Sequence, residues 1–177
     1  MSFFTDYFNV LSERIKNVDT GMLDKAAEMI KSVSRDGGKT IIAGNGASAS
    51  MASHVSVDLT KTAGVRAINF NEADLLTCLS NDYGYESWVE KAIELYADSG
   101  DLVILISSSG TSKNMINGGQ RAKSMGLKVI TFSGFSPGNP LRQLGDINFW
   151  VDSKEYNIVE MTHNAWILSI VDRISGM

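Results

Sequence analysis

Hydrophobic residues recur with two different spacings along this chain, and the two spacings predict alternating helices and strands. Apolar positions three or four apart predict amphipathic helices, while short unbroken apolar runs predict strands buried on both faces. The predicted helices cover residues 3–18, 22–33, 48–61, 85–97, 112–124 and 156–174, with a short helical turn at 75–79. The predicted strands cover residues 39–43, 65–70, 102–106, 128–132 and 147–151. This order predicts one α/β domain over residues 1–177, a three-layer αβα sandwich around a five-stranded, mainly parallel sheet with two leading helices.

The most informative stretch is residues 101–114, where a strand is followed at once by hydroxyl side chains. Leu102–Ile106 is apolar at every position, and five hydroxyl residues then surround Gly110. They are Ser107, Ser108, Ser109, Thr111 and Ser112. In open α/β sheets ligands bind just beyond the carboxyl ends of strands, and hydroxyls beside a helix N-terminus suit a phosphate. One serine would be enough to cap the following helix, which is the alternative interpretation. Five hydroxyls in six positions favour an anion site.

A second small-residue loop follows the first predicted strand. It reads Gly44, Asn45, Gly46, Ala47 and Ser48. It is not the dinucleotide-binding fingerprint, because the third glycine of that motif is missing. Since parallel strands end at the same edge of a sheet, the two loops together predict one pocket.

The only two histidines each lie near a carboxylate on a predicted helix. His54 and Asp58 are four positions apart, and Glu160 and His163 are three apart. Such pairs can supply a general acid and base, or ligands of the types that zinc accepts. They can equally be surface pairs that add about 0.2–0.5 kcal/mol to helix stability. Asp82, in a predicted loop, is either a turn former or a contact to a sugar hydroxyl.

Charge and composition narrow the classes of partner. The net charge of −4 and the lack of a Lys/Arg-rich run argue against nucleic acid or an anionic membrane as the main partner, although small anions can still bind locally. Cys78, the single cysteine, excludes an internal disulfide and is expected to be a small core residue. No apolar stretch approaches the ~20 residues of a membrane span, so we expect a cytoplasmic protein.

Four segments, in this order, resemble the sugar isomerase (SIS) domain family, and within it most resemble the phosphoheptose isomerases. These segments are residues 43–48, His54 with Asp58, residues 80–85 and residues 106–112. The resemblance covers essentially the whole chain. It implies a flavodoxin-like sandwich and a homotetramer with active sites between subunits. It also implies conversion of sedoheptulose 7-phosphate to heptose 7-phosphate for envelope polysaccharide. The aromatic stripe of the first helix suggests that residues 1–36 serve in oligomerisation.

The resemblance also implies roles for individual residues. The substrate-binding set is expected to be Asn45, Gly46, Ala47, Ser48, Asp82, Ser107, Ser108, Ser109, Thr111, Ser112 and Asn157. Asp58 is expected to be the catalytic base, with Glu160 or His163 as its partner. The sequence departs from the family where Asp58 replaces a Glu, Glu160 a Gln and Asn157 an Asp. The most serious departure is Leu168, which stands in place of the family's essential histidine.

Two functional hypotheses follow. The first is an aldose–ketose isomerase of a phosphorylated sugar that works through an enediol. The alternative is a non-catalytic phosphosugar-binding or regulatory protein, as the loss of histidine at Leu168 would allow. No cofactor is expected to be required. Some family members hold zinc, and here a zinc ion would need the set His54, Asp58, Glu160 and His163.

Overall fold

The structure is a computed structural model that describes residues 2–177 and contains one five-stranded parallel sheet. The strands are β1 (Thr40–Gly44), β2 (Ala67–Asn69), β3 (Leu102–Ser107), β4 (Lys128–Ser133) and β5 (Ile147–Trp150). Their order across the sheet is β2-β1-β3-β4-β5, with every neighbouring pair parallel. This is the flavodoxin-like order, in which the direction of winding reverses between β1 and β3. The predicted fold class is confirmed.

Within residues 2–177, seven α-helices connect and cover the strands. They are α1 (Phe3–Lys16), α2 (Thr20–Arg35), α3 (Ala47–Lys61), α4 (Ala73–Tyr83), α5 (Trp88–Tyr96), α6 (Lys113–Ser124) and α7 (Tyr156–Ser175), with a short 3-10 helix at Leu141–Gln143. Helices α2, α3 and α7 pack on one face of the sheet and α4, α5 and α6 on the other. Helix α1 contacts α7 at the outside of the first layer.

Two hydrophobic cores explain why the strand sequences are apolar at every position. Along β3, Ile104 and Ile106 point into the core beneath α2, α3 and α7, whereas Val103 and Leu105 point into the core beneath α4, α5 and α6. All six residues of β3 are buried. Because consecutive side chains of a strand face opposite sides, a strand covered by helices on both faces must be apolar throughout.

The largest difference from the sequence-based prediction is helix α4. The sequence predicted only a short helical turn at residues 75–79 followed by a loop at 80–84, but the helix runs from Ala73 to Tyr83 and is ended by Gly84. Gly84 stops it because its φ of 84° lies in the left-handed region that glycine adopts without strain. Asp82 is therefore on a helix and not in a loop. The prediction that Cys78 belongs to the core was also wrong, because it lies exposed on α4.

The carboxyl ends of β1 and β3 lie side by side, with Gly44 paired to Ile106. The loops after both strands therefore open at the same edge of the sheet, beside the first turns of α3 and α6. Among residues 2–177, no helix is both long and apolar enough to cross a membrane.

Candidate active site

A narrow cleft lies where the β1 and β3 loops meet the start of α7. Its volume is about 100 Å³, and we call it the serine cleft. It is lined by Asn45, Ser48, Ile106, Ser107, Ser108, Ser109, Ser112, Tyr156 and Glu160. The two loops that the sequence analysis assigned to one pocket thus share this cleft.

In the serine loop, residues 107–112, two pairs of hydroxyls lie close together, Ser107 with Ser112 and Ser109 with Thr111. Ser107 and Ser112 place their Oγ atoms 3.2 Å apart, and Ser107 and Ser108 are buried. Ser112 precedes α6, yet within the described chain its side chain makes no capping hydrogen bond. The capping interpretation is therefore not supported, and the hydroxyl group of Ser112 faces the cleft beside the helix N-terminus.

Asn45 also lines the serine cleft and is held there by other side chains. Its amide exchanges two hydrogen bonds with the buried Asn114, at 3.0 and 2.9 Å. Tyr85 donates a third hydrogen bond to Asn45 Oδ1 at 3.0 Å. A side chain fixed in this way loses little conformational freedom when a ligand binds.

Glu160 joins the serine cleft to a second, larger cleft. Its Oε1 atom lies 3.3 Å from Ser108 Oγ, within hydrogen-bond distance of the serine loop. The second opening, which we call the histidine cleft, has a volume of about 230 Å³. It is lined by Ala47, Ser50, Met51, His54, Glu160, Met161 and Asn164.

His54 enters the histidine cleft as one member of a pair on helix α3. Its Nε2 atom lies 3.1 Å from Asp58 Oδ2, one helical turn further along. Asp58, the expected base, does not itself line either cleft. In this arrangement Asp58 orients the imidazole, and His54 faces the space that Glu160 also faces.

His163 lines neither of the two clefts. This histidine is fully buried, and its Nε2 atom lies 2.9 Å from the backbone oxygen of Ser133 at the end of β4. The rings of Phe132 and Trp166 surround it. Burial lowers the pKa of His163 to about 4, so the imidazole is neutral at physiological pH. Although it is three positions from Glu160 on the same helix, His163 points into the core. The prediction that His163 is a catalytic or metal-binding residue was therefore wrong.

The predicted zinc set is not assembled in this chain. No group of three or more His, Cys, Asp or Glu side chains within residues 2–177 could hold a metal ion. The set His54, Asp58, Glu160 and His163 fails because His163 faces the core. Leu168 cannot supply the missing ligand, because it is an apolar side chain packed against that core. The donor atoms present therefore do not fit zinc.

Several other predicted residues lie outside both clefts. Asp82 is exposed on α4, where its carboxylate accepts a hydrogen bond from Asn81 at 3.0 Å and lies near Cys78. Thr111 is exposed and bonds to Ser109 Oγ. Asn157 lines a different groove, next to α1. Gly46 directly precedes α3 with a φ of 56°, which lets the chain turn sharply out of β1.

The charges around the serine cleft are few. Of the side chains that line it, only Tyr156 and Glu160 are ionisable. Lys113 follows the serine loop directly, but its Nζ is 2.8 Å from Glu86 in an exposed ion pair. An anion in this cleft would therefore be held by hydroxyl and amide groups.

Some residues of the site were missed by reasoning from the sequence. Tyr156, Asn114 and Tyr85 occupy or support the cleft, yet none belongs to the two loops. Asn114 and Tyr85 end two segments that the sequence analysis singled out, residues 101–114 and 80–85, but their support of the site is visible only in their contacts with Asn45. Tyr156 offered a usable signal, because it begins the helix that follows the last strand at the same edge of the sheet.

Known proteins resemble this chain over nearly all its length. Phosphoheptose isomerases of Thermodesulfovibrio yellowstonii and Campylobacter concisus are 34% and 31% identical to it, covering 86% and 97% of this chain and 79% and 88% of theirs. The solved structure of phosphoheptose isomerase from Neisseria gonorrhoeae superposes with a TM-score of 0.88 at 26% identity, over 97% of this chain and 94% of that one. The sequence profile of the SIS domain matches residues 3–134. The chain belongs to the SIS domain family.

Proposed function

We propose that the protein is an aldose–ketose isomerase of a phosphorylated sugar, of the phosphoheptose isomerase type. The observation that carries the proposal is the position of Glu160. This carboxylate contacts the serine loop at Ser108 and also lines the histidine cleft. A group in this position can reach a carbon atom of a sugar whose phosphate lies among the serines.

The sizes of the two clefts suggest how the substrate lies. A water molecule occupies roughly 30 Å³ of liquid, so the serine cleft of about 100 Å³ has room for a phosphate group but not for a whole sugar phosphate. The histidine cleft adds about 230 Å³ on the other side of Glu160. We therefore place the phosphate among the serines and the sugar carbons across Glu160 toward His54.

In this placement, Glu160 acts as the base in place of the predicted Asp58. Glu160 removes the proton from the carbon next to the carbonyl, and the electron pair left behind forms an enediol. The proton then returns to the former carbonyl carbon, which exchanges the positions of the carbonyl and hydroxyl groups. His54, oriented by Asp58, moves the hydroxyl proton between the two oxygens. Binding of the distant phosphate keeps the reacting carbons in place.

We propose in addition that several copies of the chain assemble, most simply as the homotetramer that the resemblance implies. Helix α1 has no buried residue, and Phe3, Phe4 and Phe8 expose 73%, 68% and 61% of their surface. Beside them lies a groove of about 610 Å³. We call it the aromatic groove, and it is lined by Phe3, Asp6, Tyr7, Val10, Glu155, Tyr156, Asn157 and Ile158. Because Tyr156 also lines the serine cleft, a subunit that covered this groove would border the site.

Solvent deuterium exchange tests the isomerase. The protein is incubated in D₂O with sedoheptulose 7-phosphate and with other ketose phosphates, and the products are followed by NMR. We expect interconversion with one ketose phosphate and deuterium at the carbon next to its carbonyl. Binding without exchange or conversion of any substrate would leave the non-catalytic alternative. Which sugar phosphate reacts is a prediction of the resemblance that this panel also examines, and entry of the product into envelope polysaccharide stays a prediction.

A further inference from the structure

Against Gly110 of the serine loop lies a buried carboxamide that the proposed mechanism does not use. It belongs to Asn139, which is 2% exposed and sits in the connection between β4 and β5. Asn139 does not line the serine cleft. A buried amide costs free energy unless it is hydrogen-bonded, so its partners indicate what it holds in place.

The partners of Asn139 tie the end of β4 to the loop that follows it. The Nδ2 group lies 3.1 Å from Ser133 Oγ, 3.2 Å from the Gly134 oxygen and 2.8 Å from the Ser136 oxygen. Its Oδ1 atom accepts a hydrogen bond from the backbone N–H of Arg142 at 2.9 Å. The donor and the acceptor of the amide are thus both used, which fixes the plane of the carboxamide.

The fixed carboxamide packs directly against Gly110 in the serine loop. A Cβ atom built on Gly110 would lie only 2.0 Å from Asn139 Oδ1, so the amide occupies the space of a missing side chain. Gly110 has a φ of 67°, a conformation that favours glycine. Next to this contact, the N–H of Leu141 donates to the Gly110 oxygen at 3.1 Å. The serine loop therefore rests on the Asn139 connection through both a side chain and a backbone bond.

We propose that Asn139 is a positioning residue of the phosphate site. It holds Gly110, and with it the neighbouring hydroxyls of Ser108 and Ser109, in the arrangement that a phosphate requires before the ligand arrives. This inference rests on the proposed function, because it concerns the phosphate of the same substrate. Preorganised loops bind more tightly because the cost of ordering them is already met in the free protein.

Substitution of Asn139 by Ala, measured beside a matched control, tests this role. Asn148→Ala is the control, because Asn148 is also a hydrogen-bonded amide near the same connection. It accepts from Thr131 Oγ1 at 2.6 Å and donates to the Gly145 oxygen at 2.9 Å, and it lines neither cleft. Both variants are expected to lose thermal stability. Only Asn139→Ala is expected to weaken inhibition by inorganic phosphate and to raise KM for the sugar phosphate. We expect the inhibition constant for phosphate and KM each to rise about tenfold, and kcat to change less. Displacing a positioned group by ~1 Å can have an effect of this size.

A second pair of variants examines the contact itself. Gly110→Ala should weaken phosphate binding strongly in the parent, because the new methyl group meets Asn139 Oδ1. In the Asn139→Ala background the same change should weaken it less, so the two effects are not additive. If Asn139→Ala does not fold, phosphate binding is measured in Ser133→Ala instead. This change removes one acceptor of the Asn139 amide and leaves its other hydrogen bonds in place.

The outcomes separate this inference from the proposed function. In the first outcome the parent binds phosphate and isomerises, but Asn139→Ala, or its substitute Ser133→Ala, has the same phosphate affinity as Asn148→Ala. This result would contradict the positioning role and leave the proposed function intact. A parent that binds phosphate but never isomerises overturns the proposed function alone, and the phosphate affinities still decide the role of Asn139. A parent that does not bind phosphate overturns both.

Discussion

At the scale of single residues, the buried His163 makes stability depend on pH. Its pKa is lowered to about 4 by burial, partly opposed by the bond to the Ser133 oxygen. The backbone oxygen can only accept, so Nε2 carries the proton, and no described residue bonds to Nδ1. Unfolding exposes the imidazole, whose pKa then returns to about 6.5. The unfolded state therefore binds the proton more readily than the folded state does.

The sign of the pH dependence follows from this difference. Above pH ~6.5 the histidine is neutral in both states and its contribution to stability is complete. Between pH ~6.5 and ~4 only the unfolded histidine is protonated, and the free energy of unfolding should fall by up to about 3 kcal/mol. Urea unfolding at several pH values measures the slope. His163→Gln, which can keep a donor to Ser133, should flatten it. Equal slopes in the parent and His163→Gln would contradict the prediction.

Glu160 is the residue on which the proposed chemistry depends most directly. Glu160→Gln keeps the size of the side chain and a possible contact to Ser108, but removes the base. We expect kcat to fall by about 10²- to 10⁴-fold, the usual contribution of a general base, with KM changed little. Asn164→Ala is a control that alters the wall of the same cleft without removing a charge. Unchanged kcat in Glu160→Gln would assign the base to another residue.

Sequence reasoning located the hydroxyl-rich loop but not the direction of side chains on α7. Ser107, Ser108 and Ser112 follow a strand whose end is fixed by the sheet, so their shared cleft could be anticipated. Glu160 and His163 were expected to act together because they are three positions apart. That spacing places residues near one another on a helix, yet only the packing of Phe132 and Trp166 determines that His163 faces the core.

At the scale of elements, the same contrast appears in the helices. Regular spacing predicted α7 to within one residue of its end, because its apolar positions repeat over five turns. The prediction failed at α4, where Asn81 and Asp82 suggest a turn. The helix continues to Tyr83 and is ended by Gly84. Because the side chains of Asn81 and Asp82 are exposed, their packing does not distinguish a helix from a turn.

The junction of β1 and α3 is a tight contact that a single methyl group should disturb. A Cβ atom on Gly44 would lie 2.7 Å from the backbone of Ser48, so the first turn of α3 must move away from the strand. Gly44→Ala should therefore cost about 1–3 kcal/mol and lower the melting temperature, and it should also weaken substrate binding by displacing Ser48. Gly138→Ala is the control, since a Cβ atom there meets nothing within 4 Å. A melting temperature in Gly44→Ala equal to that of Gly138→Ala would contradict the close contact.

At the scale of the whole molecule, the exposed aromatic face of α1 predicts an assembly. Replacing Phe4 and Phe8 together by Ser removes two large apolar side chains that make no part of the core, so the single chain should still fold. We expect light scattering after gel filtration to show smaller species or aggregates in place of a tetramer. Leu95→Ser changes another exposed apolar residue, on α5 at the opposite layer, and should leave the assembly intact. A tetramer that persists in the double variant would place the interface elsewhere.

The scarcity of charge in the serine cleft has a consequence for how the protein responds to salt. Of the residues that line it only Tyr156 and Glu160 are ionisable, so a phosphate there would be held mainly by neutral donors beside a carboxylate. Attraction between opposite charges weakens as ionic strength rises, whereas hydrogen bonds from hydroxyls and amides are screened far less. KM for the sugar phosphate should then change by less than about twofold between roughly 0.05 and 0.5 M NaCl. A steep rise in KM would instead mean that a cation from outside this cleft, such as one on a neighbouring subunit, shares the phosphate.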